Sequence, residues 1–373
     1  EQNFFMNDPA WYTIKDADQI DSPALCIYKD RVRENIRRLL ETVPADRVRP
    51  HVKTNKTAEV CELMMDAGIH KFKCATIAEA EMLGMIRADD VLLAYPVVGP
   101  KINRFKKLVQ KYPDTHYACL IDSVEGAKAL SAAFEKEQSP VAVFIDLNVG
   151  MNRTGIPTMQ ALSFYENIRN LKGIRLTGLH AYDGHIHDKD FAVRKKKCLE
   201  ASHDVPALKK AIEFLTGYSI TLVAGGSPSY LIHAQQNDRE CSPGTFIFWD
   251  KGYKDGLPDQ SFDYAALLLC RVISIPETNS ICVDLGHKSV AAENPQPRVY
   301  FLNAPDAVPV AQSEEHLTLT VTNTADYHIG QVLYGVPQHI CPSVALYEKA
   351  FVIKNQRVAE SWEVIARRRE IHI

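Results

Sequence analysis

Lys53 sits in Arg49-Pro50-His51-Val52-Lys53-Thr54-Asn55-Lys56, at the end of a short apolar strand pattern over 48–52. A lysine there projects from the carboxyl end of a strand, among other cationic groups. Such neighbours, with partial burial, favour the neutral nucleophilic form of an amine. A neutral lysine forms Schiff bases with carbonyl compounds, either a substrate or pyridoxal phosphate. A single lysine at a strand end is ordinarily just solvated. The other polar motifs decide what this one does.

Gly225-Gly226-Ser227 follows a strand pattern and opens a helical one. Glycines let backbone approach a phosphate, and a following helix offers N–H groups. Ser242-Pro243-Gly244-Thr245 adds a second glycine turn. Gly226, Ser227, Gly244 and Thr245 are therefore expected to cradle a phosphate. Arg153, inside Gly150-Met151-Asn152-Arg153-Thr154-Gly155, is a fixed donor that suits the pyridine nitrogen of pyridoxal phosphate. Facing an arginine, that nitrogen stays largely unprotonated, and the ring is a weaker electron sink than one paired with a carboxylate. Tyr182, His185 and His187 crowd one stretch, His180 to His187, and make it the source of a general base.

A second signal lies near the end of the chain. Gln338-His339-Ile340-Cys341-Pro342 sets imidazole and thiol at i and i+2, which in extended chain point the same way. His339 and Cys341 could grip a divalent metal whose remaining positions stay open. A cysteine ligand favours zinc over magnesium or manganese. His316, in Ser313-Glu314-Glu315-His316, is a candidate neighbour.

Positioning these groups requires a frame. Apolar runs fall at 48–52, 71–75, 91–94, 116–121, 141–147, 175–180, 219–224 and 241–248, eight in all. Helical patterns separate them at 56–68, 78–87, 101–111, 123–137, 158–171, 191–216 and 228–236, with Thr76, Ser123 and Thr158 as N-caps. Eight βα units match an α/β fold, a (β/α)8 TIM-like barrel, in preference to a doubly wound sheet. In such a barrel the chemistry lies at the carboxyl ends of the strands, and every motif before residue 250 maps there. After about residue 255 strand patterns dominate, at 265–275, 280–285, 298–302, 316–322, 331–335 and 350–354. The expected organisation is a barrel over 29–254 and a β-domain over 255–373. The N-terminal 1–28, with a strand at 24–28, joins the β-domain. The tail 366–370 reads as a solvated charge run.

Composition sets the outer limits. With 373 residues and a formal net charge of -3, nothing points to nucleic acid as a partner. No apolar run reaches the length of a membrane span. The start, Glu1-Gln2-Asn3-Phe4, lacks the pattern of a secretory leader. The nine cysteines are an odd number without framework spacing, and Cys26, Cys74, Cys119 and Cys270 read as buried thiols. A reduced, cytoplasmic protein is expected.

Taken together the motifs resemble fold-type III pyridoxal phosphate enzymes. More narrowly, the chain is similar to the D-threonine aldolase and D-serine dehydratase-like family, with its alanine racemase-like N-terminal barrel. The matching pieces are Arg49 to Thr54, Gly150 to Gly155, Gly225-Gly226-Ser227, Pro243-Gly244-Thr245, Asp284-Leu285-Gly286-His287-Lys288, Ser313 to His316 and His339-Ile340-Cys341. The resemblance implies that Lys53 holds the cofactor in Schiff-base linkage and that Arg153 faces its pyridine nitrogen. It implies that Ser227, Gly244 and Thr245 hold the phosphate. It implies zinc or manganese on His339 and Cys341 near the substrate's β-hydroxyl, and a homodimer with the site at a subunit boundary. Two departures stand out. The aldolases often read Tyr-x-Gly-x-x-Gln-His after the sixth strand; here Tyr182 matches, but Asp188 holds the last position, with His185 and His187 nearby. They also carry an acid where this chain has Cys341, the dehydratase-like choice.

The expected reaction is retro-aldol cleavage of a D-3-hydroxy amino acid to glycine and an aldehyde. The catalytic set is Lys53, His185, His187 and Tyr182, with Tyr182 also at the cofactor. The alternatives are a deaminating D-serine dehydratase, which Cys341 favours, and an amino acid racemase, which has no need of the His-x-Cys pair. A non-enzymatic cofactor carrier would lack the β-domain.

Overall fold

The computed structural model describes residues 10–137 and 139–373. The leader pattern sought at residues 1–4 lies outside them. The described residues form two compact units. One gathers the chain up to Arg33 with Asp250–Gly252 and Asp263–Glu363; the other holds Glu34–Trp249, Tyr253–Phe262 and Val364–Ile373.

The second of these is the expected barrel. Lys71–Cys74, Asp90–Pro96, His116–Ile121, Val141–Asn148, Ile174–Ala181, Thr221–Ala224 and Glu240–Cys241 pair in that order, all parallel. Segment 48–52 completes the ring as the first strand: Val48 bridges Cys241 and His51 bridges Lys73. Arg49 N–H donates to Cys241 O and Val52 N–H to Lys73 O, each at 2.9 Å. Pro50 in its middle has no N–H to donate, so the segment makes separate bridges on each side instead of a continuous ladder. Leu92, Ala118, Leu120, Phe144 and Val223 pack together as a buried apolar cluster of the barrel.

The connecting helices and the last strand follow the sequence with corrections. Thr76 and Ser123 do cap their helices, accepting from Glu79 N–H and Gly126 N–H. Thr158 does not; it begins a 3-10 turn, Thr158–Gln160, ahead of the helix Ala161–Ile168. The long helix expected at 191–216 is two, Phe191–Ala201 and Val205–Thr216, the second with Pro206 in its first turn, where its missing N–H is harmless. The strand expected at 241–248 stops at Cys241, because Pro243 and Gly244 break the ladder and 245–247 forms a 3-10 turn.

In the other unit Ala24–Tyr28 is fully buried and central. It pairs antiparallel with Ala266–Glu277 and parallel with Lys349–Lys354. Val332–Pro337 and Ser280–Val283 also pair with Ala266–Glu277. Two strands escaped the sequence reading, Val308–Gln312 and Arg357–Glu363. Pro309 interrupts the first, and the second is polar at most positions, so neither shows apolar alternation. The tail's charged residues 367–370 are exposed as expected, but Ala366 is buried and its N–H donates to Lys56 O.

Candidate active site

The carboxyl ends of the barrel strands bring together most of the residues singled out in the sequence. Tyr182, just past the sixth strand, is the centre. Lys53 Nζ lies 6.0 Å from its ring centroid and Arg153 Cζ 5.2 Å. Lys53 is half-buried, and its backbone N–H donates to His51 Nδ1 at 3.3 Å. Burial first, then the positive charges of Lys53 and Lys73, keep His51 well below the usual histidine range, so its ring is neutral and able to accept that bond.

Arg153 is presented by a tight loop. Asn148 Oδ1 accepts from Gly150 N–H and Asn152 N–H, at 3.1 and 3.0 Å. Gly155 N–H donates to Asp122 Oδ2 at 3.0 Å. The loop thus turns on an Asx side chain, and the arginine stands exposed at its crest.

The glycine turns after the seventh and eighth strands meet as a cradle. Gly225 has φ +73°, and a Cβ there would lie 2.6 Å from the His233 ring. A Cβ on Gly244 would lie 2.9 Å from His51 O. Only glycine fits either place, because the protein's own atoms fill the space a side chain would need. Ser227 is buried, and its Oγ accepts from Gly244 N–H and Thr245 N–H, each at 3.2 Å. The helix that follows is only Tyr230–Ala234, five residues. The longer helix expected at 228–236 does not form, and the Gly244 and Thr245 N–H groups turn onto Ser227 Oγ.

Behind the cradle runs a wire that the sequence did not reveal. Asp183 accepts from Ser229 Oγ at 2.6 Å and pairs with His233 Nε2 at 2.8 Å. Ser229 Oγ in turn accepts from Gly226 N–H. Burial pushes Asp183 up, but His233 and Ser229 outweigh it and hold the carboxyl below its ordinary value. A neighbouring pair was also missed. His180 Nδ1 meets Asp146 Oδ1 at 2.7 Å, and Asp146 accepts from Thr154 Oγ1 as well. Despite its burial Asp146 is held low by His180, so it is ionised and places the imidazole proton on Nδ1. That leaves His180 Nε2 as an acceptor, buried and without a partner among the described residues. The imidazole lies nearly parallel to Tyr182, centroids 6.4 Å apart. The third omission is Lys73, 2% exposed, with Nζ 5.4 Å from the Tyr182 centroid. It read as one residue of a strand.

His185 and His187 are both exposed on the loop after the sixth strand. The His185 ring packs over Gly150; its Nε2 lies 2.9 Å from where a Cβ on that glycine would sit. Asp188, at the place of the family's histidine, pairs with Lys197 at 2.6 Å, which holds it below its ordinary value.

His339 and Cys341 lie in the other unit. The extended backbone expected for them ends at His339, which begins the short helix Ile340–Val344. Cys341 is in the first turn, so the two do not share a strand face. They nevertheless interact. Burial lowers the His339 imidazole, but Cys341, with Asp250 and Glu293, outweighs it and raises the ring to about 9. His339 Nδ1 meets Glu293 Oε1 at 2.6 Å. Among the described residues no three His, Cys, Asp or Glu side chains group to hold a metal ion. His316 is exposed, and the adjacent Glu314 and Glu315 pair with Lys288.

Known proteins resemble this chain along nearly its whole length. The model of the alanine racemase N-terminal domain matches residues 27–251, and that of a putative serine dehydratase domain matches 265–353. A D-threonine aldolase of Arthrobacter sp is 25% identical over 359 residues, 94% of this chain and 93% of that protein. A 3-hydroxy-D-aspartate aldolase of Paracoccus denitrificans is 25% identical over 370 residues, with the same coverage of 94% and 93%. The crystal structure of a D-threonine aldolase from Filomicrobium marinum superposes with a TM-score of 0.87 at 24% identity, covering 96% of this chain and 99% of that one.

Proposed function

We propose, from the premise that this chain belongs to the family defined by the alanine racemase N-terminal domain, that it is a pyridoxal phosphate-dependent lyase. Its substrates are D-3-hydroxy amino acids, which it cleaves between Cα and Cβ to glycine and an aldehyde. The aldolase names of the Arthrobacter and Paracoccus relatives support this reading. The observation that carries it is the gathering of Lys53 and Arg153 about Tyr182, beside a glycine cradle with a buried hydroxyl.

The residues fit the cofactor at both ends. Gly225 and Gly244 let the two turns pack where no side chain fits, and the Ser227 hydroxyl, with Gly226 and Thr245 beside it, would turn to the phosphate. Lys53 would hold the aldehyde carbon, Tyr182 would lie against the ring, and Arg153 would donate to the pyridine nitrogen. When bound, pyridoxal phosphate supplies a sink for the electron pair left at Cα. The chain's own work is binding and proton transfer. Lys53 would hold the cofactor, and His185 or His187 would take the β-hydroxyl proton. His339 and Cys341 offer a nitrogen and a sulfur donor that suit zinc, with manganese the alternative; such an ion lowers the pKa of a bound hydroxyl. Nine unbridged cysteines support a reducing, cytoplasmic setting, and a homodimer fits the family.

A second reading has one observation in its favour. Cys341 and the match to a putative serine dehydratase domain suit deaminating β-elimination. One assay separates the two: a panel of D-3-hydroxy amino acids, with and without chelator, and identification of products. D-threonine is expected to give glycine and acetaldehyde, with activity lost on chelation. Ammonia and a 2-oxo acid as the only products would sink the aldolase reading.

A further inference from the structure

The reading above assigns Lys53 and leaves a second lysine of the same pocket without a task. Lys73 is on the second strand, beside the first. Its N–H donates to Pro50 O at 2.8 Å, and its carbonyl accepts from Val52 N–H at 2.9 Å. This register places Lys73 level with His51, two residues before Lys53.

A lysine that is only 2% exposed is rare unless it is paired. Among the described residues no hydrogen bond or ion pair reaches the Lys73 amine. Its tip faces Tyr182 at 5.4 Å, sharing that ring with Lys53 at 6.0 Å. The charged and titratable groups around it are few. From the first strand and its turn come Arg49, His51 and Lys53; from the fifth, Asp146; from the sixth and its loop, His180, Tyr182 and Asp183. Asp146 is already engaged by His180 and Thr154, and Asp183 by Ser229 and His233. Neither carboxylate is spent on Lys73. Burial, and then Lys53, push Lys73 down to about 7 against the pull of Asp146 and Asp183. An ordinary lysine stays charged to about 10.4. Lys73 is thus an amine that both gives and accepts a proton near neutral pH.

We propose that Lys73 is a second working amine of this pocket, which gives a proton to the Lys53 nitrogen as that nitrogen leaves carbon and takes one back as the bond re-forms. The proposal rests on the assignment of Lys53 as the cofactor's anchor. In release the Lys73 ammonium protonates the Lys53 nitrogen. The bond from that nitrogen to carbon then breaks, its electron pair stays on nitrogen, and Lys53 departs as a neutral amine. The carbon completes a double bond to the incoming amine, and Lys73 is left neutral. Capture runs the same steps backwards. One proton moves between two nitrogens, and no oxidant or other reagent enters.

The sign of the pH dependence follows. Lys73 is charged below about 7 and neutral above it. At a fixed concentration of neutral D-alanine, release therefore proceeds fastest on the acid side and slows as pH rises through that value. The test uses the holoenzyme and D-alanine, an amine without a β-hydroxyl to cleave, so turnover does not enter. The rate of the cofactor's absorbance change on adding D-alanine is measured from pH 6 to 9, alongside cofactor content and the melting midpoint. Wild type should show a break near 7. Lys73→Met should slow the change about 100-fold and lose the break, with cofactor content kept and the midpoint no lower. Lys73→Arg keeps a cation in place and should lose the break too. A break that survives in either variant, or Lys73→Met exchanging at the wild-type rate, overturns the proposal. A wild-type chain that takes up no cofactor overturns the Lys53 assignment and this proposal with it.

Discussion

The two ends of one barrel treat charge in opposite ways. At the amino end Arg49 is buried, with Nε on Glu240 and Nη1 on Asp90, each at 2.6 Å. Lys71 pairs with the other oxygen of Glu240 at 2.7 Å. Cation and carboxylate alternate there until each is met. At the carboxyl end Lys53, Lys73 and Arg153 surround the Tyr182 ring, while the carboxylates nearby are taken by His180 and His233. Buried charge is expensive and is normally paired. An end that satisfies its cations is built to hold strands in register. An end that withholds carboxylates from its cations keeps them for something that arrives.

Three replacements would break or sharpen that contrast. The largest effect belongs to Lys53→Ala. It should abolish both the Schiff-base absorbance of the bound cofactor and turnover, while the urea midpoint of the cofactor-free chain stays near wild type. Retention of either signal would refute the anchor. Next comes the opposite end. Arg49→Met leaves Asp90 without its cation and Glu240 with Lys71 alone, and should destabilise the fold by roughly 3–5 kcal/mol, seen in urea unfolding. Whatever remains folded should still bind cofactor with normal absorbance; a shifted absorbance would show that the two ends are not separate in role. Smallest is Ser227→Ala, which removes a hydroxyl from the cradle. A loss of about 1 kcal/mol in cofactor affinity is expected by absorbance titration, with a comparable loss of stability in urea as the Gly244 and Thr245 N–H groups lose their acceptor. Unaltered affinity would take Ser227 out of the cradle.

Much of this frame was legible because it repeats. Eight apolar runs at near-regular spacing, with Thr76 and Ser123 before helices, carry local signals that need no tertiary knowledge. The glycine turns were readable for a related reason, since glycines 225, 226 and 244 sit at turns of fixed place in the repeat. What stayed hidden depends on partners far apart in the chain. Lys73 reads as a polar residue of a half-exposed strand, and only ring closure shows that its side faces inward. Asp146 and His180 lie 34 positions apart and Asp183 and His233 lie 50 apart, so no motif joins them. The His339 and Cys341 spacing was legible while its geometry was not, because Pro342 and the residues around it start a helix where a strand was expected.

The ring of strands is thinnest where it closes. Its eighth strand is the two residues Glu240–Cys241, and the first touches its neighbours at Val48 and His51. Lys53 leaves one side of that junction, and Gly244 and Thr245 leave the other. A molecule bonded to Lys53 and gripped by Thr245 would act as a rivet across it. Cofactor retention and closure of the cylinder are then linked, each strengthening the other by the same free energy. The empty chain should breathe first at this junction, with the amides of Arg49, His51 and Val52 exchanging their hydrogens sooner than those of the longer strands opposite.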